Sequence, residues 1–519
     1  MVKEVILTID PEKAASEKSY LPLAASKLGI STKQISFCQL RNRSIDARHG
    51  KVRVNLKLDI YIDELPSPDE YKQPEYQNVE HKQPVLIVGA GPGGLFAALK
   101  FLQLGFKPII IERGKDVHTR RRDIAAIHKN QGVNPNSNYG FGEGGAGTYS
   151  DGKLFTRSKK RGDITEVLKI LHANGGNQDI LIDAHPHIGT DKLPGIIENI
   201  RKTIIEHGGE VYFESEFKEL VLSDNRVKGI RLVNGDVIES QVVILATGHS
   251  ARDVYRSLHN QSVLLEPKSF AMGVRIEHPQ QLIDQIQYSC KTRSPYLPAA
   301  AYSLVQQSHG RGVYSFCMCP GGIIVPASTA NNEMVVNGMS PSNRNSKWAN
   351  SGIVVEIRVE DIPNAQQSIM AGLDFQMEYE QLAFANGGQG QIAPAQRVTD
   401  FVAGKLSSSL PVTSYTPSVI ASPLHQWMPP FIRERLQDGF VQFDKKMRGF
   451  FTENALLIGV ESRTSSPLRI PRDKESLQHV QVKGLFPCGE GAGYAGGIVS
   501  SALDGQRCAE KAAEYIMTL

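Results

Sequence analysis

Hydrophobic and polar positions follow two different periods along this chain, and the change from one to the other is clearest near residue 90. Val85 to Val88 form an unbroken apolar run, which is typical of a strand buried in a parallel sheet. A glycine-rich turn follows, and from Leu95 to Leu102 apolar residues recur with a helical period. Gly105 ends that pattern, and Pro108 to Ile111 predict another strand. The stretch therefore predicts a strand, a turn, a helix and a strand in succession.

The turn between the first strand and the helix has the spacing G-x-G-x-x-G. Gly89 permits a tight turn, Gly91 lets a pyrophosphate approach the helix N-terminus, and Gly94 lets the helix pack closely on the strand. Glu112 lies 23 positions after Gly89, where its carboxylate can accept hydrogen bonds from a ribose. The pattern predicts a dinucleotide site formed by Gly89, Gly91, Pro92, Gly93, Gly94, Glu112 and Arg113.

The same glycine spacing occurs twice more, at Gly142 to Gly147, which does not follow an apolar strand, and at Gly491 to Gly496, after which too few residues remain for a βαβ unit. The first belongs to a glycine-rich loop, Gly140 to Lys153. Ordering glycine costs more backbone entropy than ordering any other residue, so this loop is expected where the backbone must lie against a flat or bulky ligand. The second follows a short strand near Gly484 and precedes a helix that runs to Ile516. It predicts a second helix N-terminus able to attract an anion.

Residues 1–65 predict a separate βαββ module. Alternating apolar residues predict strands at Val5–Ile9, Ile35–Leu40 and Val52–Ile62, and Ser19–Leu28 predicts a helix. Basic residues gather around the hairpin between the last two strands, namely Arg41, Arg43, Arg48, Lys51 and Arg53. They predict a solvated hairpin or an interdomain contact, and an RNA-binding surface is the alternative.

Residues 66–83 are polar and proline-rich, which predicts a linker. Residues 84–264 predict the first part of a Rossmann-like domain. After Glu112 this part contains a helix whose Arg120-Arg121-Arg122 run predicts a solvated face, with a phosphate clamp as the alternative. Further on come another helix, a three-stranded meander, and an apolar strand that ends at His249.

From residue 265 to residue 449 strand-like pieces alternate with long polar loops, and two helical patterns follow. One loop, Ser340 to Ser351, is rich in Asn and Ser and is expected to move. Residues 450–519 predict the return of the chain to the first domain. The predicted fold class is α/β: a Rossmann-like domain, with a parallel sheet and a β-meander, is interrupted by an inserted α+β domain and preceded by the N-terminal module.

Composition narrows the class of protein. The chain has 519 residues, of which 40% are hydrophobic and 22% charged, as in an ordinary globular protein of two or three domains. The net charge of +4 neither demands nor excludes a nucleic-acid partner. Charges interrupt the N-terminal apolar stretch, and no apolar window reaches 18 residues, so a cytoplasmic protein without a membrane span is expected.

The cysteines are sparse and do not form a disulfide framework. Cys317 and Cys319 are predicted to be buried structural thiols in a strand, because their spacing is not C-x-x-C. No second pair accompanies them, so no metal site is predicted.

With these residues in view, the chain resembles the FAD-dependent oxidoreductases of the glutathione-reductase-like superfamily. VGAGPGG with Glu112 resembles the ADP-binding half, GEGGAGTYSDGK the ribityl and flavin loop, LATGHSARD the strand that closes on the cofactor, and CGEGAGYAGG the C-terminal flavin loop. The resemblance implies FAD as cofactor. It also implies further FAD contacts from Gly144, Gly145, Ala146, Gly147, Ser150, Thr247, Gly248, Gly489, Glu490, Gly496, Gly497 and Ile498.

A closer resemblance is to a bacterial family of FAD-dependent dehydrogenases whose substrate is not established. It rests on HPHIGTDKL (185–193), FCMCPGG (316–322) and VESRTSSPLRIPRD (460–473). The match implies a fold and a cofactor more than a reaction.

Candidate reactive residues follow from what a flavin requires. Positive potential near N1 stabilises the reduced ring, and the helix N-terminus near Gly496 could supply it. Arg463 and Arg469 could bind an acidic substrate, or they could fix the junction between domains. His187 could donate a proton, or it could be a structural hydrogen-bonding residue.

These patterns together predict a FAD-dependent oxidoreductase that binds a small organic substrate between the FAD domain and the inserted domain. An RNA-associated flavoprotein and a flavin hydroxylase are the alternatives. No second dinucleotide-binding pattern is visible, so NAD(P)H or another electron donor is expected to bind only transiently.

Overall fold

The computed structural model describes residues 1–48, 50–67, 74–156 and 162–519. The N-terminal module has the predicted βαββ order, with a short additional helix. Its elements are β1 (Val2–Ile9), α1 (Pro11–Ala14), α2 (Glu17–Leu28), β2 (Ile35–Asp46) and β3 (Arg53–Ile62). The antiparallel sheet has the order β1-β3-β2, and Leu56, Leu58 and Ile60 share a core with Tyr20 and Ala24 of α2. Of the predicted linker, residues 68–73 lie outside the described residues.

The next part of the chain forms the first Rossmann-like segment and the meander. Its elements are β4 (Pro84–Val88), α3 (Pro92–Leu104), β5 (Lys107–Ile111), α4 (Val117–His128), α5 (Ile164–Ala173), α6 (Leu193–Glu206), β6 (Glu210–Tyr212), β7 (Phe217–Ser223), β8 (Arg226–Leu232), β9 (Val237–Glu239), β10 (Val243–Leu245) and α7 (Arg252–Asn260). Gly91 is the N-cap of α3, with proline at the first helical position, and Gly105 ends α3 in the left-handed conformation.

The inserted part is built on a second sheet. Its elements are β11 (Glu266–Pro267), β12 (Phe270–Pro279), α8 (Gln280–Tyr288), β13 (Val305–Ser308), β14 (Arg311–Cys319), β15 (Ile323–Pro326), β16 (Val336–Met339), β17 (Trp348–Ile357), α9 (Ala371–Ala385), β18 (Ala393–Arg397), α10 (Val398–Ala403), β19 (Val419–Ala421), α11 (Leu424–Trp427), α12 (Pro430–Lys446) and β20 (Leu456–Glu461). The chain then ends with β21 (Leu468–Arg469), β22 (Leu485–Pro487) and α13 (Ile498–Ile516).

The first sheet is parallel and has the order β22-β10-β4-β5-β6. Counted along the chain within this sheet, the order is 5-4-1-2-3, which is the doubly wound arrangement. The strand order reverses between β4 and β10, and a ligand in such a sheet binds outside the carboxyl ends of the strands at that point. The predicted α/β class is confirmed, and the ligand edge of the sheet is defined.

The second sheet has the order β13-β14-β17-β12-β20-β18-β19 and is antiparallel except at β18-β19. β12 is buried along almost its whole length, as suits a central strand. β20 pairs with β12 and β18, so the inserted sheet extends beyond residue 449, where the sequence pattern placed its end. The chain enters and leaves this part through β11 and β21, which pair with each other. The predicted exit is therefore too early, because a strand buried in the second sheet looks locally like one buried in the first.

No helix within the described residues is both long enough and apolar enough to cross a membrane.

Candidate functional site

The carboxyl ends of β4, β10 and β22 bring three predicted cofactor segments side by side. Gly89 follows β4 with a φ of 104°, and a Cβ there would lie 2.4 Å from the carbonyl oxygen of Ala246, just after β10. At the end of β22, a Cβ on Gly491 would lie 2.5 Å from the carbonyl oxygen of Gly248. These contacts tolerate only glycine, so the turns of three strands are packed backbone to backbone.

The other two glycines of the fingerprint have different surroundings. A Cβ on Gly94 would lie 1.9 Å from the carbonyl oxygen of Gly89, which confirms the predicted close packing of α3 on the turn. A Cβ on Gly91 would have no neighbour nearer than the Cα of Gly145, at 4.0 Å. Gly91 thus faces open space at the N-terminus of α3, where phosphates can approach unpaired amides.

Glu112 ends β5 and is buried, with three backbone amides donating to its carboxylate. The Ala90 amide donates to Oε2 at 2.9 Å, and the amides of Gly114 and Gly142 donate to Oε1 at 2.8 and 3.0 Å. A carboxylate has about four acceptor positions, so one position on Oε2 is left for a ribose hydroxyl. Arg113 pairs with Asp253 and has its guanidinium 4.6 Å from the ring centre of Phe141.

The glycine-rich loop is held against the N-terminus of α3. The Gly144 amide donates to the carbonyl of Ala90 at 2.8 Å, and residues Gly145–Gly147 form a 3-10 turn. A Cβ on Gly145 would lie 3.2 Å from the Cα of Gly91, and one on Gly147 would lie 3.2 Å from Ile498. The loop is therefore in contact with the start of both α3 and α13. Ser150 Oγ donates to the carbonyl of Gly147 and stabilises the turn.

Arg120 holds this loop in place through hydrogen bonds. The prediction that the three arginines of α4 form a solvated face is therefore wrong for Arg120. Its side chain is fully buried and donates to four carbonyls, those of Asn138, Tyr139, Glu143 and Gly145, at 2.8–3.0 Å. Burial lowers the pKa of Arg120 to about 10, so the guanidinium stays charged at neutral pH. Residues 117, 120, 124 and 127 form one buried stripe of α4, and that spacing is the signal that could have identified Arg120.

The C-terminal loop is fixed by an ion pair that the sequence did not suggest. Arg472 donates to both carboxylate oxygens of Asp504 on α13, at 2.6 and 2.9 Å, and Asp504 accepts the Gly489 amide at 2.8 Å. Cys488, Asp504 and Cys508 are close enough to ligate a metal. However, the guanidinium of Arg472 donates to both oxygens of Asp504 and to the thiol of Cys508 at 3.3 Å, so the protein itself supplies a positive charge to this cluster.

Helix α13 begins at this loop and packs along α3. A Cβ on Gly505 would lie 2.0 Å from the carbonyl of Gly93, so the two helices touch through their backbones. At the start of α13, Gly496 and Gly497 are exposed and have open space around the position of a Cβ. The N-termini of α3 and α13 thus meet at the same groove, with the Gly145–Gly147 turn between them.

A cavity separates this groove from the inserted domain, where it is lined by the two-stranded sheet β15–β16 and by the end of β20. Its FAD-domain wall includes Ala146, Ser150 and His249, and its opposite wall includes Val325, Val335, Asn337, Glu461 and Arg463. His249 directly follows Thr247 and Gly248 at the carboxyl end of β10, and Nδ1 of His249 lies 3.7 Å from Oε1 of Glu490. Sequence reasoning named Glu490 but missed His249. Its place directly after a strand that ends in small residues was the available signal.

Arg463 lies at the cavity wall, and four of its five N–H donors are used. It donates to Glu380 at 2.8 and 3.0 Å, to Glu333 at 3.0 Å and to Thr329 at 2.8 Å. Arg252 of α7 donates to the same two carboxylates, each at 2.7 Å. Burial tends to raise the pKa of Glu380, but the two arginines outweigh burial and hold it at about 2. This cluster joins the two domains, which is the second of the two roles predicted for Arg463.

Arg469 also lies at the junction. It belongs to β21, lies 3.8 Å from Glu266 of the paired β11 and is 5.7 Å from the ring centre of Tyr494.

His187 fixes a loop of the second domain to the first. Its Nε2 donates to the carbonyl of Ser342 at 3.0 Å, and burial followed by the nearby Arg344 lowers the pKa of His187. Asp191 accepts both the amide and the hydroxyl of Ser342, and Arg344 donates to Asp151 at 2.7 Å. The loop that was expected to move is thus tied to the flavin loop and to the HPHIGTD segment by several polar contacts.

The prediction of buried thiols in β14 is confirmed for Cys319. Cys317 is exposed as a residue and has a φ of 43°, although burial around its sulfur raises the pKa of the thiol. The strand register shifts between Phe316 and Cys319, and this bulge breaks the alternation that would have placed both thiols on one face.

The fold and the site together define a flavoprotein whose cofactor is FAD. The residues fit the cofactor on structural grounds, because two helix N-termini converge where Gly91, Gly496 and Gly497 lie. Among the described residues, no side chain lies within 4 Å of a Cβ built on any of these three glycines. A family model described as "FAD-dependent protein, C-terminal domain-like" matches residues 269–464, and one described as "Domain of unknown function (DUF8436)" matches residues 1–61.

A protein of Clostridium beijerinckii that bears the name "Uncharacterized protein" is 40% identical over 528 residues, covering 98% of this chain and 97% of that protein. The chain belongs to the same family as this clostridial protein.

The solved structures that are similar to this chain include the following three. A geranylgeranyl bacteriochlorophyll reductase-like protein from Thermoplasma acidophilum is 13% identical, with 84% of this chain and 80% of that chain covered and a TM-score of 0.36. The halogenase PltM is 11% identical, with 84% and 70% covered and a TM-score of 0.36. CtdE in complex with FAD is 10% identical, with 85% of each chain covered and a TM-score of 0.31.

Replacing both Gly496 and Gly497 by Ala is expected to leave the fold intact and to weaken FAD binding at least ten-fold. The two methyl groups meet no protein atom within 4 Å, so any effect must come from the ligand side. Fluorescence titration of the apoprotein with FAD measures the change in FAD affinity. Gly195→Ala is the matched control, because Gly195 is an exposed helical glycine with similar space around it. Unchanged FAD affinity in the double variant would show that the start of α13 does not face the cofactor.

Proposed function

We propose that the chain is a FAD-dependent oxidoreductase that acts on a small organic substrate. The observation that supports this is the cavity between the flavin loop and the inserted domain, which carries polar groups from both domains. Ala146 and Ser150 of the flavin loop line it on one side, and Asn337 and Glu461 line it on the other. A substrate there would be in contact with the cofactor domain and enclosed by the inserted domain, as flavin chemistry requires.

The assignment to the glutathione-reductase-like superfamily is part of this proposal. It is supported by the doubly wound strand order and by the meander β7-β8-β9 between β6 and β10. A cytoplasmic location is likewise proposed, and it is supported by the six cysteines, all of which are described and free.

The RNA-associated alternative requires free basic groups around the hairpin, and the five basic residues there are each paired. Arg41 pairs with Asp59, and Arg48 pairs with Asp46. Lys51 and Arg53 pair with Asp10. Arg43 pairs with Asp179 and Asp183 of the FAD domain, which supports an interdomain contact instead.

The proposed function is tested with purified FAD-loaded protein under anaerobic conditions. Candidate substrates and NAD(P)H are added one at a time while the flavin absorbance near its visible maximum is followed. Bleaching by a compound, and its reversal by an electron acceptor, support an oxidoreductase. Consumption of oxygen driven by NADPH, and dependent on a second compound, would identify the hydroxylase alternative. A flavin that neither accepts nor donates electrons with any donor, including dithionite followed by acceptors, would contradict the proposal.

A further inference from the structure

One segment of the FAD domain, residues 182–191, is hydrogen-bonded to three other parts of the molecule. Its first residues meet β2 of the N-terminal module, and its middle meets the end of the flavin loop. Its last residues meet the loop before β17 in the inserted domain. This bridging segment therefore connects the N-terminal module to the cofactor site.

The contact with the N-terminal module extends the sheet of that module by a short parallel bridge at its edge strand β2. The Arg43 amide donates to the carbonyl of Ile182, and the Ala184 amide donates to the carbonyl of Arg43, each at 3.0 Å. The Arg43 guanidinium adds two ion pairs, from Nε to Asp183 at 2.7 Å and from Nη2 to Asp179 at 3.1 Å. The hydrogen bond to Asp183 is the largest cause of the raised pKa of Arg43. Backbone and side-chain bonds thus fix the same residue of β2 to the start of the bridging segment.

The middle of the bridging segment lies antiparallel to the end of the flavin loop. The Leu154 amide donates to the carbonyl of Pro186 at 2.9 Å, and the Ile188 amide donates to the carbonyl of Gly152 at 3.1 Å. Two residues after Ala184, the segment thus passes from the edge of the module to the backbone of the loop. A shift of its first residues would be transmitted to the loop through these bonds.

The flavin loop that these bonds hold is costly to order. Six of the thirteen residues from Gly140 to Gly152 are glycine, which loses more backbone entropy on ordering than any other residue. The Gly152 amide donates to Oγ of Ser150 at 3.0 Å, and Ser150 stabilises the Gly145–Gly147 turn at the FAD groove. Contacts that keep the loop ordered before the cofactor arrives reduce the entropy that FAD binding must overcome.

The inserted domain is held at the far end of the bridging segment. Asp191 accepts the amide of Ser342 at 2.6 Å and its hydroxyl at 2.8 Å. The hairpin of the N-terminal module reaches the inserted domain as well, because Ala47 and Val52 pack against its hydrophobic core. Displacement of the module would therefore disturb both domains that enclose the cavity.

We infer that the N-terminal module orders the flavin loop through residues 182–191, and that Arg43 is a positioning residue for FAD. Docking of β2 on Asp183 keeps the bridging segment in place, and the segment holds residues 151–154 in the conformation that FAD binds. Coupling between two binding events is reciprocal, so bound FAD must also strengthen the docking of the module. The inference goes beyond the proposed function, because it concerns cofactor binding and does not depend on the reaction.

Charge reversal at Arg43 tests the coupling in the full-length protein. Arg43→Glu places a carboxylate against Asp183 and Asp179, and we expect FAD binding to weaken by about five-fold to a hundred-fold. Exchange of the charges, Arg43→Glu with Asp183→Arg, should restore the affinity. Arg53→Glu is the matched control, because it breaks a similarly exposed ion pair with Asp10 that lies wholly within the module, and it should leave FAD affinity unchanged. Fluorescence titration of each apoprotein with FAD measures the affinity.

Hydrogen exchange in the unmodified protein tests the reciprocal effect. The amides of Arg43 and Ala184 bond across the contact, so their exchange should slow by about five-fold or more when FAD is added to the apoprotein. Amides of β3, the central strand of the module, are the control and should exchange equally with and without FAD. The visible circular dichroism of bound flavin reports the shape of its surroundings. This signal should change in Arg43→Glu and return when the charges are exchanged.

Several results would overturn the inference. These are unchanged FAD affinity in Arg43→Glu, an equal loss of affinity in Arg53→Glu, and a loss that the exchanged charges do not restore. Exchange at Arg43 and Ala184 that does not respond to FAD would overturn it as well. If Arg43→Glu does not fold, this exchange measurement on the unmodified protein still decides the question.

Discussion

Replacing Arg120 by Met is expected to release FAD and to lower the free energy of unfolding by about 3–5 kcal/mol. Arg120 has no exposed surface, and its guanidinium is the donor for four carbonyls around the flavin loop. Methionine is similar in length but donates nothing, so several buried carbonyls would lose their partner at once. The Gly145–Gly147 turn would no longer be held against Gly91, and the FAD groove would lose one wall.

The measurements are the ratio of flavin to protein absorbance after purification and the urea midpoint of the apoprotein. Arg122→Met is the control, because it changes an exposed arginine two positions further along the same helix. A stable, fully flavinated Arg120→Met protein would mean that the loop keeps its shape without the guanidinium.

The contrast between Arg120 and Arg122 shows what sequence patterns could and could not provide. A run of three arginines favours a solvated face when only charge is considered. The apolar residues Val117, Ile124 and Ile127 define the buried stripe of α4, and Arg120 lies on that stripe. The burial of Arg120 could therefore be predicted from the sequence. Its hydrogen-bond partners could not, because the four carbonyls belong to a loop without regular structure.

The part of the fold that was predicted well is local in sequence. The Gly89 fingerprint, α3 and β5 lie within thirty residues, so periodicity and turn chemistry define them together. β20 was misplaced because its partner β12 lies about 180 residues earlier, and nothing in its own apolar sequence distinguishes the two sheets.

The same limit applies to the site. The glycines at Gly91, Gly145 and Gly497 were each found from local composition, and the structure brings all three stretches to one groove. The cluster that engages Arg463 draws on residues from α7, α9 and the loop before β16, so its geometry could not be inferred from the motif that contains it. The positions of His249 and Glu461 at the cavity could be recognised only from the structure, since each pairs with a residue more than 180 positions away.

Replacing Gly91 by Val is expected to abolish FAD binding while the protein still folds. Gly91 has a φ of −76°, which any residue can adopt, and a Cβ there has no protein atom nearer than 4.0 Å. The side chain would instead occupy the approach to the free amides of α3, where the cofactor phosphates are expected. We expect colourless protein with a thermal unfolding midpoint close to that of the unmodified apoprotein.

The neighbouring glycine supplies the control for this prediction. Gly94→Val should fail to fold, because its Cβ would lie 1.9 Å from the carbonyl oxygen of Gly89, and neither the helix nor the turn can move without separating α3 from β4. The two variants introduce the same side chain three residues apart. Gly91→Val should abolish only FAD binding, whereas Gly94→Val should prevent the domain from folding. Circular dichroism and flavin content, measured on both, separate these outcomes. Full flavin content in Gly91→Val would place the phosphates elsewhere, and an unfolded Gly91→Val would mean that the space beside Gly91 belongs to the protein core and not to the ligand.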